Sequence, residues 1–173
     1  MNELRTLIKE IITDLKSGKS KLNVFDFDST LFKSPEPPVG WEKSIGTWYY
    51  EPKSLSQDLI GDGSGFWNES VVSSAMACLN DNNAITILLT GRNDRNFNKT
   101  VNDLLISKGL NFNYVKLNRG GNTSKFKINE ISNILNANDS IKTIEFWDDN
   151  EEYLQKYKNI FEELGYITEI NLI

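Results

Sequence analysis

The chain has no histidine and a single cysteine in 173 residues. Without histidine, Ser-His-Asp and Cys-His triads and histidine metal sites are excluded. A lone Cys78 cannot close an internal disulfide, and its place in a helical pattern marks it as a buried thiol. No apolar run is long enough to span a membrane, and the N-terminus lacks the apolar segment of a signal peptide. A soluble, cytoplasmic protein is the expectation. Positive charge is in deficit, with 19 Lys and Arg against 24 Asp and Glu, a net charge of -5. A general duplex-binding protein would be basic instead. Proline is scarce, and all four fall in one stretch, at Pro35, Pro37, Pro38 and Pro52.

The chain is organised around Lys21 to Phe32. Leu22, Val24, Phe25 and Phe27 supply a strand covered on both faces, which runs into Asp26 and Asp28. Side chains two apart in an extended chain share a face, so these acids would sit side by side. Such a pair repels itself and is costly to desolvate, which points to chemistry or to a cation. Around it the pattern alternates. Leu4, Leu7, Ile8, Ile11, Ile12 and Leu15 predict an amphipathic helix over residues 1–16, packed on the sheet, with membrane-surface binding as the weaker alternative. Helices are predicted over 66–82, 94–108, 123–137 and 151–164. Further strands are predicted over 84–89, 112–117, 141–147 and 166–173. Alternating strands and helices of this length specify one α/β domain over 1–173, a parallel sheet with helices on both faces. Residues 33–65 break the alternation. This long, proline- and glycine-containing connection carries Trp41, Trp48, Tyr49 and Tyr50, and its length predicts a flap over the acid pair. Its aromatics either pack the flap down or offer a stacking platform for a base.

Four signals fall at the carboxyl ends of predicted strands or at a helix start, the edge where open parallel sheets bind ligands. They are Asp26 with Asp28, Thr90-Gly91-Arg92, Lys125 with Lys127, and Asp148 with Asp149. Either member of the last pair could instead cap the following helix, and Thr123 or Ser124 could cap the one before. In this order the motifs Phe25-Asp26-Phe27-Asp28-Ser29-Thr30, Leu88-Leu89-Thr90-Gly91-Arg92 and Trp147-Asp148-Asp149-Asn150 resemble those of the haloacid dehalogenase-like superfamily of phosphohydrolases. Trp48-Tyr49-Tyr50-Glu51-Pro52 and Thr123-Ser124-Lys125-Phe126-Lys127 resemble the branch found in Swiss Army Knife RNA repair proteins. Asn150 stands where that branch usually has an arginine.

The resemblance implies a three-layer fold with sheet order 3-2-1-4-5 and an aspartyl-phosphate phosphatase. In it Asp26 attacks phosphorus, and Asp28 serves as acid and then as base. Mg²⁺ would be held by Asp26, the Asp28 carbonyl, and Asp148 or Asp149. Thr90 and the Gly91 amide would hold phosphoryl oxygens, and Lys127, with Lys125 as the alternative, would neutralise the transition state. An acid at position 28 separates the chain from the dehalogenases and the ion-pumping ATPases. A two-component receiver domain is the competing fold, but the third predicted strand ends Leu117-Asn118-Arg119 without its aspartate. Arg92, Arg95, Lys99, Arg119, Lys125 and Lys127 gather near the expected edge of an acidic protein and focus a positive field on a phosphorylated ligand. The expected substrate is a nucleotide or the end of a single-stranded nucleic acid, with a sugar phosphate or phosphoprotein as alternatives.

Overall fold

The computed structural model describes residues 18–173, so the helix expected over residues 1–16 lies outside the described residues. Five strands alternate with four long helices. The order is β1 (Lys21–Phe25), α1 (Glu69–Leu79), β2 (Ala84–Asn93), α2 (Asp94–Lys108), β3 (Tyr114–Asn118), α3 (Thr123–Asn136), β4 (Thr143–Asp148), α4 (Glu151–Glu163) and β5 (Ile167–Leu172). All pairings are parallel, in the order β3-β2-β1-β4-β5. A receiver-type sheet runs 2-1-3-4-5, so the topology excludes that alternative. Among the described residues no helix is long and apolar enough to cross a membrane.

The two-residue period of the strands sorts the core into two halves. Phe25, Leu88 and Trp147 face Val72 and Ala75 of α1 and Phe97, Val101 and Leu105 of α2. Val24, Ile87, Leu89 and Phe146 face Ile131 and Leu135 of α3 and Leu154, Tyr157 and Phe161 of α4. Helices therefore cover both faces, which is why β1 and β2 read as nearly continuous apolar runs. With β1 between β2 and β4, three strand ends meet at one edge.

Several boundaries differ from the sequence pattern. β2 continues through Thr90, Gly91 and Arg92 to Asn93, with a register shift against β3 between Thr90 and Asn93. The helix caps are asparagines: the Asn122 side chain accepts from the Lys125 amide and the Asn150 side chain from the Tyr153 amide. Thr123 and Ser124 therefore do not cap α3, and neither Asp148 nor Asp149 caps α4. Asparagine matches serine and aspartate as a cap and exceeds threonine, so the sequence offered several neighbouring candidates.

The connection from β1 to α1 consists of short helical turns at Ile45–Trp48, Pro52–Leu55, Gln57–Ile60 and Ser64–Phe66. Its second half is anchored by Leu55 and Ile60, which enter the core beside α2. At Gly63 the backbone has φ +77 and passes so close to Leu104 that an added Cβ would lie 2.4 Å from it. Any side chain there is strained and clashing.

Cys78 is half-buried, and burial, reinforced by the Glu145 charge, pushes its thiol from 9.0 up to about 11. The thiolate is the reactive form. Alkylation of Cys78 by iodoacetamide at pH 8 is therefore expected to run about a hundredfold slower than for a free thiol of the ordinary value. A rate matching that of free cysteine would contradict this burial.

Candidate active site

A tight turn brings the two acids together. The Asp26 amide donates to the Trp147 carbonyl at 2.9 Å, one residue beyond the last paired position of β1. The Ser29 amide then donates to Phe32 O, and the Phe32 amide to Phe27 O, both at 2.8 Å. Ser29 sits in the left-handed region at φ 57, a conformation that costs a non-glycine residue about 1–2 kcal/mol. Phe27, Leu31 and Phe32 are fully buried around the turn and hold it closed. Asp26 and Asp28 thus open into one cleft of about 210 Å³, although Asp26 lies just past the strand.

Lys127 reaches Asp26 from α3. Its ammonium donates to Asp26 Oδ1 at 2.7 Å and to Asp148 Oδ2 at 2.8 Å, with all three side chains buried. Burial favours the neutral amine, but the Asp26 and Asp148 charges outweigh it and raise the Lys127 pKa. Asp26 is pushed well above the usual carboxylate value by burial. Lys127 opposes that push, and Asp148 and Asp28 add to it. Asp149 on the rim is also pushed up, by partial burial of its carboxyl and by Asp148. One ammonium therefore faces several acids. Carboxylate oxygens of Asp26, Asp148 and Asp149 lie within 4.8 Å of one another, an all-oxygen set that suits a hard divalent cation. A cation there would reverse the upward pressure on Asp26 and Asp149. Tyr157 lies beside this group, its buried hydroxyl without a hydrogen-bond partner among the described residues.

The Asp28 carboxylate is not part of that cluster. It is held by Arg92, whose Nε donates to Oδ1 and Oδ2 at 2.9 and 3.1 Å and whose Nη2 donates to Oδ1 at 2.6 Å. The Ser34 hydroxyl adds a third donor on Oδ1 at 2.5 Å. Arg92 is fully buried. Arg92, expected to bind phosphate, has its fork occupied by a carboxylate, for which a guanidinium is geometrically matched. Thr90 is buried beside them, its Oγ1 3.5 Å from Asp28 Oδ2 and accepting from the Arg92 amide at 3.1 Å.

The other expected phosphate residues divide. Gly91 lines the cleft and packs so tightly on Thr123 that an added Cβ would meet Thr123 Cγ2 at 2.9 Å. Lys125 is exposed, away from the cleft, with Lys127 the buried one. The two lie two residues apart on a helix of 3.6 residues per turn, so they project to nearly opposite sides. Arg95, Lys99 and Arg119 are likewise exposed and outside the cleft. Lys99 pairs with Asp103 and Arg119 with Asp94.

The aromatic residues of the connection also divide. Trp48 is buried, donates from Nε1 to the Pro35 carbonyl at 2.7 Å and stacks edge-on with Trp41. It packs the segment down. Gly46, Tyr49 and Tyr50 line the cleft together with Tyr153 of α4. Ser34, Ser54, Thr123 and Tyr153 are the residues of this edge that sequence reasoning passed over as chemistry. The two serines carry no local signal, because their partners come from β2 and from the Asp28 turn.

The geometry has counterparts among known proteins. Residues 38–171 match the family model described as HAD domain family 1 in Swiss Army Knife RNA repair proteins. An uncharacterized protein of Saccharomyces cerevisiae, YMR265C, is 25% identical over 173 residues, covering 84% of this chain and 38% of that protein. The chain thus spans well under half the length of that relative. Among solved structures, a chain in the structure of the Pnkp1/Rnl/Hen1 complex has a TM-score of 0.56 at 13% identity, with 88% of this chain and 46% of that chain covered. A second, of the Pnkp1/Rnl/Hen1 RNA repair complex, has a TM-score of 0.53 at 15% identity, covering 88% and 43%. At these identities the likeness is one of fold. By the extent of the family match, which begins after the Asp26 and Asp28 turn but takes in the ends of β2 and β4 and Lys127, the chain belongs to HAD domain family 1 of the Swiss Army Knife RNA repair proteins.

Proposed function

We propose that the protein is a Mg²⁺-dependent phosphomonoesterase that works through an aspartyl-phosphate on Asp26 and removes the terminal phosphate of a nucleotide or a single-stranded nucleic acid. The observation that carries this reading is the juxtaposition of Asp26, bound to the buried Lys127, with an Asp28 held independently by Arg92. One carboxylate is paired with a cation that can follow charge onto phosphorus. The other is aimed by its own fork.

Asp26 Oδ2 is the oxygen not taken by Lys127, and it forms the new bond to phosphorus as the ester P–O bond breaks. Asp28 gives its proton to the departing oxygen. It then takes one from the water that attacks the phosphoryl group and breaks the Asp26–phosphorus bond. Lys127, Thr90 and the Gly91 amide stabilise the charge on the phosphoryl oxygens. Asp26, Asp148 and Asp149, with the Asp28 main-chain carbonyl, would hold Mg²⁺, which when bound supplies electrostatic stabilisation of the phosphoryl group.

A nucleotide or strand end is favoured by the rim and by the family. Tyr49, Tyr50 and Tyr153 line the cleft, and rings stack on bases without regard to sequence. One of the solved structures of similar fold is of the Pnkp1/Rnl/Hen1 RNA repair complex. A panel of mononucleotides, 3′- and 5′-phosphorylated oligonucleotides, sugar phosphates and an aryl phosphate, each with Mg²⁺, tests the substrate. Preference for a sugar phosphate would overturn the nucleic-acid part of the reading.

The insert aromatics give a second test. Tyr49→Ala is expected to spare the aryl phosphate and to weaken oligonucleotide binding by about 1–3 kcal/mol. Trp48→Ala should behave otherwise. Removing a packed indole costs about 3–5 kcal/mol, so the melting temperature falls and all substrates suffer together. Equal losses for both variants on both substrates would remove the stacking role of Tyr49.

A further inference from the structure

We propose that Arg92 is a positioning residue for Asp28, and that the β1–α1 connection acts on the chemistry through it. The inference rests on the phosphatase reading above and concerns how its acid is aimed. Arg92 is fixed on every side. Its Nε and Nη2 fork the Asp28 carboxylate. Its Nη1 donates to Ser54 Oγ at 2.7 Å and to the Tyr49 carbonyl at 3.2 Å. Its guanidinium carbon lies 4.6 Å from the Phe97 ring centre and 5.7 Å from that of Tyr49. Although Arg92 borders the cleft, each of its three nitrogens already donates to a protein acceptor, and the side chain is fully buried.

The donors on Asp28 are unequal. Oδ1 receives Arg92 Nε, Arg92 Nη2 and Ser34 Oγ. Oδ2 receives only the longer Arg92 Nε contact at 3.1 Å and Thr90 at 3.5 Å. With three donors, Oδ1 has no lone pair left for a proton. Oδ2 is the oxygen that carries it to the leaving group and later accepts it from water. Arg92 thus selects the working oxygen and its direction. Ser54 and Tyr49, both contributed by the connection, in turn fix Arg92. A proton donor displaced by an ångström loses much of its effect, so a distortion of the connection would reach the chemistry without touching the substrate.

The test is a series of phosphate esters whose leaving groups run from an activated aryl oxide to an alkyl oxide. Measured as kcat/KM with Mg²⁺, it reports the first phosphoryl transfer. Vanadate inhibition is measured alongside as a probe of phosphate binding. Arg92→Lys keeps the charge but loses the fork, and Arg92→Met removes both. Both variants are expected to keep the activated aryl ester and the vanadate affinity near wild type, and to lose about a hundredfold or more on the alkyl ester, the scale of general acid catalysis. Ser54→Ala leaves the contacts to Asp28 in place. It guards against a fold defect in the Arg92 variants and should show the same pattern more weakly. Equal losses on every ester with weakened vanadate binding would make Arg92 a phosphate ligand and overturn the proposal. Unchanged kinetics in both Arg92 variants would overturn it too. A wild-type protein inactive on the whole series would instead sink the phosphatase reading and this inference with it.

Discussion

Asp26→Asn is expected to abolish phosphate release from every substrate, by about 10⁴-fold or more, the scale seen when a covalent nucleophile is removed. The fold should survive. Asparagine keeps the volume of aspartate, and Lys127 retains its second partner, Asp148, at 2.8 Å. Phosphate release and a thermal melt on the same sample check this together. An inactive variant with an unchanged melting temperature is the expected result. Turnover near wild type would remove Asp26 as the nucleophile.

Lys127→Met combines a loss of activity with a loss of stability. It removes the buried cation that faces Asp26 and Asp148. Breaking one side of a buried ion pair typically costs about 3–5 kcal/mol, because the remaining charge has no partner. The pH dependence has a definite sign. The Lys127 pKa is raised in the folded protein, so its stabilisation is complete below the ordinary lysine value and is lost only as pH rises through the higher folded value. From pH 5 to 8 its contribution is flat. Asp26 behaves oppositely. Its folded pKa lies above 3.8, so the unfolded chain ionises first and stability falls as pH rises between the two values. Without Lys127 that upward push grows. As pH rises above the ordinary carboxylate value the variant should lose stability more steeply than wild type, and Mg²⁺ should restore more of it than in wild type. Parallel pH curves for the two proteins would show that Lys127 does not neutralise the cluster.

The layered sheet and its strand order are written in residues 21–173 because parallel strands covered on both faces leave apolar runs such as Ile85 to Leu89. The order itself needs only one further step, that the acids ending β1 and β4 must be neighbours to face one ion. Lys127 was legible in part. It lies on the stripe of Ser124, Ile131 and Leu135, whose spacings of three and four mark the buried side of α3, whereas Lys125 is off it. A lysine on a buried stripe needs acids opposite it. The pairing of Arg92 with Asp28 was not legible, for a physical reason. At a strand end it looks like a ligand for phosphate, and its partners Ser54 and Tyr49 belong to an irregular segment without periodicity. The division between Trp48, which packs, and Tyr49, which faces the cleft, has the same origin. Which of two adjacent rings turns inward on a short helical turn depends on tertiary packing.

The central claim is that Asp26 carries the phosphoryl group. The most direct measurement is a single turnover with Mg²⁺ on an oligonucleotide bearing a terminal ³²P-phosphate, quenched in acid and followed by mapping of label on the protein. The account predicts transient label on the peptide containing Asp26, absent in Asp26→Asn and absent in EDTA. Release of labelled phosphate at the full rate with no label on Asp26, or with Asp26 replaced, would contradict it.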